Sequence, residues 1–212
     1  MWAVLAPFAL TALLLAMVPG QGTAMLLRQA MTGGLRAALL SSLGTCAGLL
    51  IWASASAVGL SAIFVASPRA YNALRWAGAL YLAFLSIQTL IELKKRGPSF
   101  AIGSQGGRAG FLAFRLGLTT NLLNVKAAVF SVAFIPQFVP SGFPIARGIL
   151  TLGVVQALVS FTWAAFLSTS ISRVTEMLAS DRARRILTLI SAIGFLILSL
   201  SLLIARQGLS SS

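Results

Sequence analysis

Asn121-Leu122-Leu123-Asn124-Val125-Lys126 interrupts a long apolar run whose one other charge is Arg115, near its start. Lys126 lies 11 residues beyond Arg115. On a helix that is roughly 16 Å, which reaches the middle of a bilayer. A lysine at that depth costs roughly 2.5–3.5 kcal/mol on insertion scales, so it needs an aqueous cavity or a partner. Asn121 and Asn124 are three residues apart and share a helix face. Asn124 is also suited to cap a helix that restarts after it. The bland alternative is a lysine that snorkels to the surface beside two asparagines bonding neighbouring helices. The depth, with two amides one turn away, favours the cavity.

A second interruption, Pro19-Gly20-Gln21-Gly22, breaks the first apolar run. Proline removes a backbone donor and clashes with the preceding turn. The glycines let another group approach the backbone closely. Amides just after the break become a helix N-terminus, which favours anions. In lipid such a break survives only where it faces protein or a water-filled cavity. Paired breaks in corresponding segments of two halves point to the binding site of a secondary transporter.

The rest of the chain fits that reading. Of its 212 residues, 58% are hydrophobic and only 9% charged. A soluble domain carries roughly 25% charged residues, so lipid is the expected solvent. Six apolar stretches approach the roughly 20 residues of a membrane helix. They run from about Trp2 to Leu27, between Arg36 and the Ser67-Pro68 loop, and from Ala70 to Ile91. The second three run from about Phe111 to Val139, Arg147 to Ser172 and Ile186 to Ala205. Pro140 to Pro144 reads as a turn, and Pro136-Gln137 as a further break or the exit into it. The expected fold is an all-α integral membrane protein of six transmembrane helices in two inverted three-helix repeats, with helices one and four interrupted. Residues 1–98 form the first repeat, 99–110 a cytoplasmic linker and 111–212 the second repeat, within a single membrane domain. Ala77-Gly78-Ala79-Leu80-Tyr81-Leu82 is weakly echoed by Ala192-Ile193-Gly194-Phe195-Leu196-Ile197.

Net charge is +13, from 16 basic and 3 acidic residues. The basic residues lie between apolar runs, which argues for the positive-inside rule rather than nucleic acid. The loops joining segments one to two, three to four and five to six hold 11 of them, against 4 on the other side. Those loops are therefore expected in the cytoplasm of a plasma-membrane protein of bacterial type, with both termini outside. The N-terminus lacks the basic start of a secretory signal and is expected to remain as a membrane segment. Arg75 and Arg115, near segment ends, are expected to snorkel to headgroups. Membrane lipids are the expected partners of the basic loops.

The absences narrow the chemistry. There is one cysteine, Cys46, and no histidine. Intrachain disulfide and soft-metal chemistry are excluded, no cofactor is expected, and Cys46 reads as a small apolar filler. No nucleophile, base and orienting group assemble within the segments, so an enzyme is not expected. No Asp, Glu or His lies deep in a segment to receive a cationic side chain. The favoured substrate has a carboxylate and an otherwise neutral body. Its candidate site is Pro19, Gly20, Gln21, Gly22, Asn121, Asn124 and Lys126. Gly44 and Gly48 form a GxxxG spacing that marks close helix contact, within one chain or across a homodimer. Trp76, Tyr81 and Trp163 belong to aromatic belts or line a cavity. The competing reading is a non-transporting membrane scaffold or assembly partner, held through exposed small-residue faces such as Gly44 and Gly48.

These motifs together resemble the lysine exporter (LysE/RhtB) family of amino-acid efflux transporters, over nearly the whole chain. Pro19-Gly20-Gln21-Gly22, with Arg28 and Gly33-Gly34-Leu35-Arg36-Ala37 after it, is similar to the family's Pro-Gly-Pro signature and basic turn. Ala77 to Leu82 matches its Ala-Gly-Ala-x-Tyr-Leu pattern. Asn121 to Ala128 is close to Asn-Leu-Leu-Asn-Pro-Lys-Ala, and Phe134 to Val139 to its Leu-Pro-Gln-Phe. Gln21 and Val125 stand where the family has prolines, and Trp52 where many members carry histidine. With Val125 in place, segment four is expected to be more continuous than usual. The resemblance implies amino-acid export from the cytoplasm driven by the proton gradient. The missing histidine makes export the firmer part of that implication.

Overall fold

A computed structural model describes residues 1–17, 20–66 and 110–170, together with scattered helical positions between 73 and 91 and between 186 and 200. The long inter-repeat linker, Pro19, Ser67-Pro68 and Arg75 lie outside the described residues. Helix α1 is Trp2–Met17 and α2 is Gln21–Ala66. Helix α3 is Phe111–Leu122, α4 is Val125–Val129 and α5 is Ile145–Thr169. Among the described residues two helices are long and apolar enough to cross a bilayer, or three if the bent pair around residue 123 is one span.

Helix α2 has two limbs. The helix runs through Arg28 to Gly34, whose φ of 71° turns the chain. That left-handed value suits glycine, which has no Cβ to clash. The first apolar segment therefore ends at this turn, later than the charge at Arg28 suggests. A charged side chain can snorkel without ending a helix.

Packing follows the logic of a lipid solvent. Small residues face inward on the second limb of α2, with Ala37, Ala38, Ser41, Ser42, Gly44, Gly48 and Ala53 buried. Leu43, Leu50, Ile51 and Val58 on the same limb face outward, as do Leu150, Val154, Leu158 and Phe166 on α5. Lipid tails are as apolar as leucine, so helix association rests on close backbone approach. At Gly44 an added Cβ would run into the backbone carbonyl of Phe114, and at Gly117 into that of Ser41. The GxxxG face is thus used within the chain, against α3. It offers no exposed surface to a second copy or an assembly partner.

The segment after α3 is broken despite Val125. The pieces Phe111–Leu122 and Val125–Phe138 meet at a 61° bend. Asn124 is extended (φ −85°, ψ 99°), and its Oδ1 accepts from the Lys126 N–H at 3.1 Å. The asparagine cap sustains the break without proline. Beyond α4 the helix widens to a π-turn at Phe130–Phe134, then tightens to a 3-10 turn at Ile135–Phe138. Pro136 supplies the cause, because it has no N–H to continue an α ladder. The Ser56 hydroxyl donates to the Ser131 carbonyl inside the π-turn at 2.9 Å. Phe143 N–H bonds Pro140 O, and Gly142 has φ 79°, which makes the expected turn before α5.

Two ends of the bundle differ. One holds the start of α1, the 3-10 turn and the start of α5. There Phe8, Phe130, Ile135, Ile149 and Leu152 are fully buried. Phe130 and Phe134 stack at 4.9 Å, and Phe8 meets Phe138 edge-on at 5.2 Å. The other end holds the Gly34 turn, the start of α3 and the end of α5, where Leu26, Leu27, Ala30, Ala38 and Leu167 pack together.

Candidate functional site

Between these two packed regions lies a cavity of about 120 Å³. At roughly 30 Å³ per water that is space for about four waters, the size class of a small amino acid. Its walls come from α1, both limbs of α2, α3, α4 and α5.

Both helix breaks open onto it. Helix α1 stops at Met17, and the next helix begins at Gln21 with Ala24 N–H bonded to Gly20 O. The amides of the intervening first turn lack intrahelical acceptors. Gly20, Gly22 and Thr23 line the cavity on this side. Asn121, Asn124 and Lys126 line it from the second break. The two breaks come within reach of each other: the Lys126 amino group lies 4.0 Å from where a Cβ on Gly20 would stand. Glycine at position 20 leaves that approach open. Gln21 is exposed and does not line the cavity, and Pro19 lies outside the described residues.

The asparagines present a defined polarity. Asn124 has committed its carbonyl oxygen to the α4 cap. Asn121 is 5% exposed, and its Oδ1 has no hydrogen-bond partner. That oxygen sits 2.6 Å from where a Cβ on Gly48 would be, so it rests against the glycine's Cα. Gly48 is therefore the residue that makes room for Asn121. With both carbonyls turned to the scaffold, each asparagine keeps its NH₂ donors for another group. The Lys126 ammonium lies on the same side, so this side of the cavity is rich in donors.

The opposite wall comes from α5. Gln156, Ser160, Trp163, Ala164 and Leu167 recur at helical spacing and line the cavity. Gln156 is 2% exposed, and its Oε1 has no partner. Trp163 is a cavity residue, and its Nε1 is likewise unpartnered. Trp76, by contrast, is half exposed. Cys46 also faces the cavity, with its thiol donating to Ala157 O at 3.3 Å. Among the described residues no Asp or Glu lines the cavity, and none forms a metal-binding cluster.

Sequence reading named the residues at the breaks and, on the α5 wall, offered only Trp163, as a belt or cavity residue. Gln156 was the available signal, an uncharged polar residue in a 25-residue apolar helix. Lone amides in membrane helices more often bond a neighbouring helix, so position alone does not single it out.

The LysE type translocator family matches residues 13–206. The chain is 34% identical over 158 residues to a homoserine/homoserine lactone efflux protein of Salmonella typhimurium, covering 69% of the chain and 70% of the relative. It is 30% identical over 132 residues to an uncharacterized membrane protein of Vibrio cholerae, covering 62% and 63%. It is 23% identical over 190 residues to the uncharacterized membrane protein YrhP of Bacillus subtilis, covering 86% and 90%. No solved structure matches the chain. The chain belongs to the LysE type translocator family, as a membrane transporter and not an enzyme.

Proposed function

We propose that this protein exports neutral amino acids or close derivatives, homoserine among them, from the cytoplasm by proton antiport. The family and the efflux relatives support amino-acid export. The observation that carries the finer reading is the cavity into which both helix breaks open, with Lys126 reaching toward Gly20. In this reading the substrate carboxylate meets Lys126, the asparagine NH₂ groups and the first-turn amides after Gly20. Charge-assisted bonds of this kind are roughly twice as strong as neutral ones. The absence of Asp and Glu from the described lining disfavours a second positive charge on the substrate. Homoserine and its lactone fit that limit. They share an α-ammonium and differ at the carboxyl, which is an anion in one and an ester in the other.

Lys126 is the one basic group lining the cavity among the described residues, and it is the group to which proton exchange falls. The site lies in the inner membrane in this reading, with both termini outside. Transport proceeds by rocking one three-helix repeat, residues 1–98, against the other, residues 111–212. A pair of hydrogen bonds supports the inverted repeat. Ser86 Oγ donates to Ala192 O at 2.8 Å, and Ser199 Oγ donates to Ala79 O at 2.9 Å. Pairing Ala79 with Ala192 and Ser86 with Ser199 exchanges one bond for the other, as a two-fold axis between antiparallel helices requires.

Counterflow in proteoliposomes tests the function. Vesicles loaded with homoserine should take up labelled homoserine faster than empty ones, and an imposed pH gradient should change the steady level. No exchange of homoserine or any other neutral amino acid by folded protein would overturn the reading.

A further inference from the structure

Six buried side-chain atoms lack a hydrogen-bond partner among the described residues, and three of them belong to cavity residues. The three have different chemistry. Asn121 Oδ1 is accounted for by its seat against Gly48. Trp163 Nε1 is a donor and adds to those already supplied by Lys126. Gln156 Oε1 is an acceptor, on the helix that faces the breaks, in a residue only 2% exposed. An ammonium group brings three donors and needs such acceptors. Ser160 lies one helical turn along the same wall, and its hydroxyl can accept a second bond.

We propose that Gln156 recognises the α-ammonium of the substrate, opposite the donor-rich wall that takes the carboxylate. This assignment rests on the amino-acid export reading. It makes Gln156 the specificity-determining residue of the cavity, which selects amino acids over simple carboxylates. A neutral amide carbonyl performs this role without a fixed negative charge. A zwitterion therefore adds no net charge to the cavity, whereas a carboxylate at this position would shift its preference toward cations. The shared ammonium of homoserine and its lactone is then the feature that one site can read in both.

The test is binding to the purified full chain in detergent, by calorimetry, with three probes: L-homoserine, 4-hydroxybutanoate (homoserine without its amine) and L-homoserine lactone. Gln156→Leu should weaken homoserine at least about tenfold, by removing a charge-assisted bond, and change 4-hydroxybutanoate less than about twofold. Gln156→Glu should bind the cationic lactone at least about threefold more tightly and 4-hydroxybutanoate more weakly, as the sign of the added charge requires. The gain in Gln156→Glu cannot arise from misfolding. Equal changes for homoserine and 4-hydroxybutanoate in Gln156→Leu, or no gain for the lactone in Gln156→Glu, would overturn the Gln156 assignment and leave export standing. Failure of the wild-type chain to bind homoserine or any neutral amino acid would overturn both.

Discussion

At one end of the bundle Phe8, Phe130, Phe134 and Phe138 fill the axis with stacked and edge-on rings. Toward the other, Gly20, Asn121, Lys126 and Gln156 surround open space. Both regions are built around an irregular stretch of the same segment. In the aromatic region the irregularity is the π-turn and 3-10 turn around Pro136, and its spare carbonyl is taken by Ser56. In the polar region it is the gap at Leu123-Asn124, where the Asn124 cap takes the Lys126 N–H and the Asn121, Asn124 and Lys126 side chains line the cavity. The difference teaches that a break in a membrane helix is not itself a site. What neighbouring helices place against it decides: rings and a serine seal one, whereas glycines and amides leave the other open.

Four substitutions probe this contrast. The largest effect is expected from Lys126→Met, which should abolish counterflow while the protein still inserts and purifies as a folded species. Wild-type transport by that variant would remove Lys126 from the site. Phe130→Ala attacks the sealed region. Truncating a buried phenylalanine in water costs roughly 3–5 kcal/mol, and lipid cancels much of the transfer part, so about 2 kcal/mol of packing is expected. Thermal unfolding in detergent measures it, with homoserine affinity expected unchanged. A variant equally stable but unable to bind would blur the distinction between the regions. Asn124→Ala removes the cap that sustains the open break and should cost about 1 kcal/mol, together with a loss of homoserine affinity. Stability loss without affinity loss would leave Asn124 as a cap alone. The smallest change is expected from Val125→Pro. Asn124 is already extended, as a residue before proline must be, and position 125 opens α4, where proline is tolerated. A gain of up to about 1 kcal/mol is expected, because the unfolded chain loses freedom. A clear destabilisation would mean that the Val125 N–H matters to the break.

Much of this architecture was legible in the sequence because lipid imposes strong rules. A lysine deep in an apolar run and a Pro-Gly pair in another each demand an explanation. Their meeting in space was expected from the paired position of the two breaks. The continuity anticipated from Val125 was not found, because a cap can hold a break that proline would otherwise enforce. Gly44 and Gly48 announced a close contact, but spacing does not carry the identity of the partner, which proved to be α3. Gln156 and the rest of the α5 wall, Trp163 apart, were hidden for a related reason. A polar residue in an apolar helix says that it is buried and not what it faces. Segments three and six gave their helical character to hydropathy, and their partners came only from the structure: the serine bonds across them and the approach of Gly78 to Ala133.

The central claim is that the cavity between the two breaks is where substrate sits. Ser160→Cys in a chain whose sole cysteine is replaced by Cys46→Ala tests it most directly. Ser160 lines the cavity one turn from Gln156, and cysteine is nearly its isostere. The rate at which a small thiol reagent labels residue 160 should fall saturably as homoserine is added, with half-protection at the concentration that half-saturates counterflow. A labelling rate unchanged at homoserine concentrations that saturate counterflow would contradict the account, because transport would then proceed without filling this cavity.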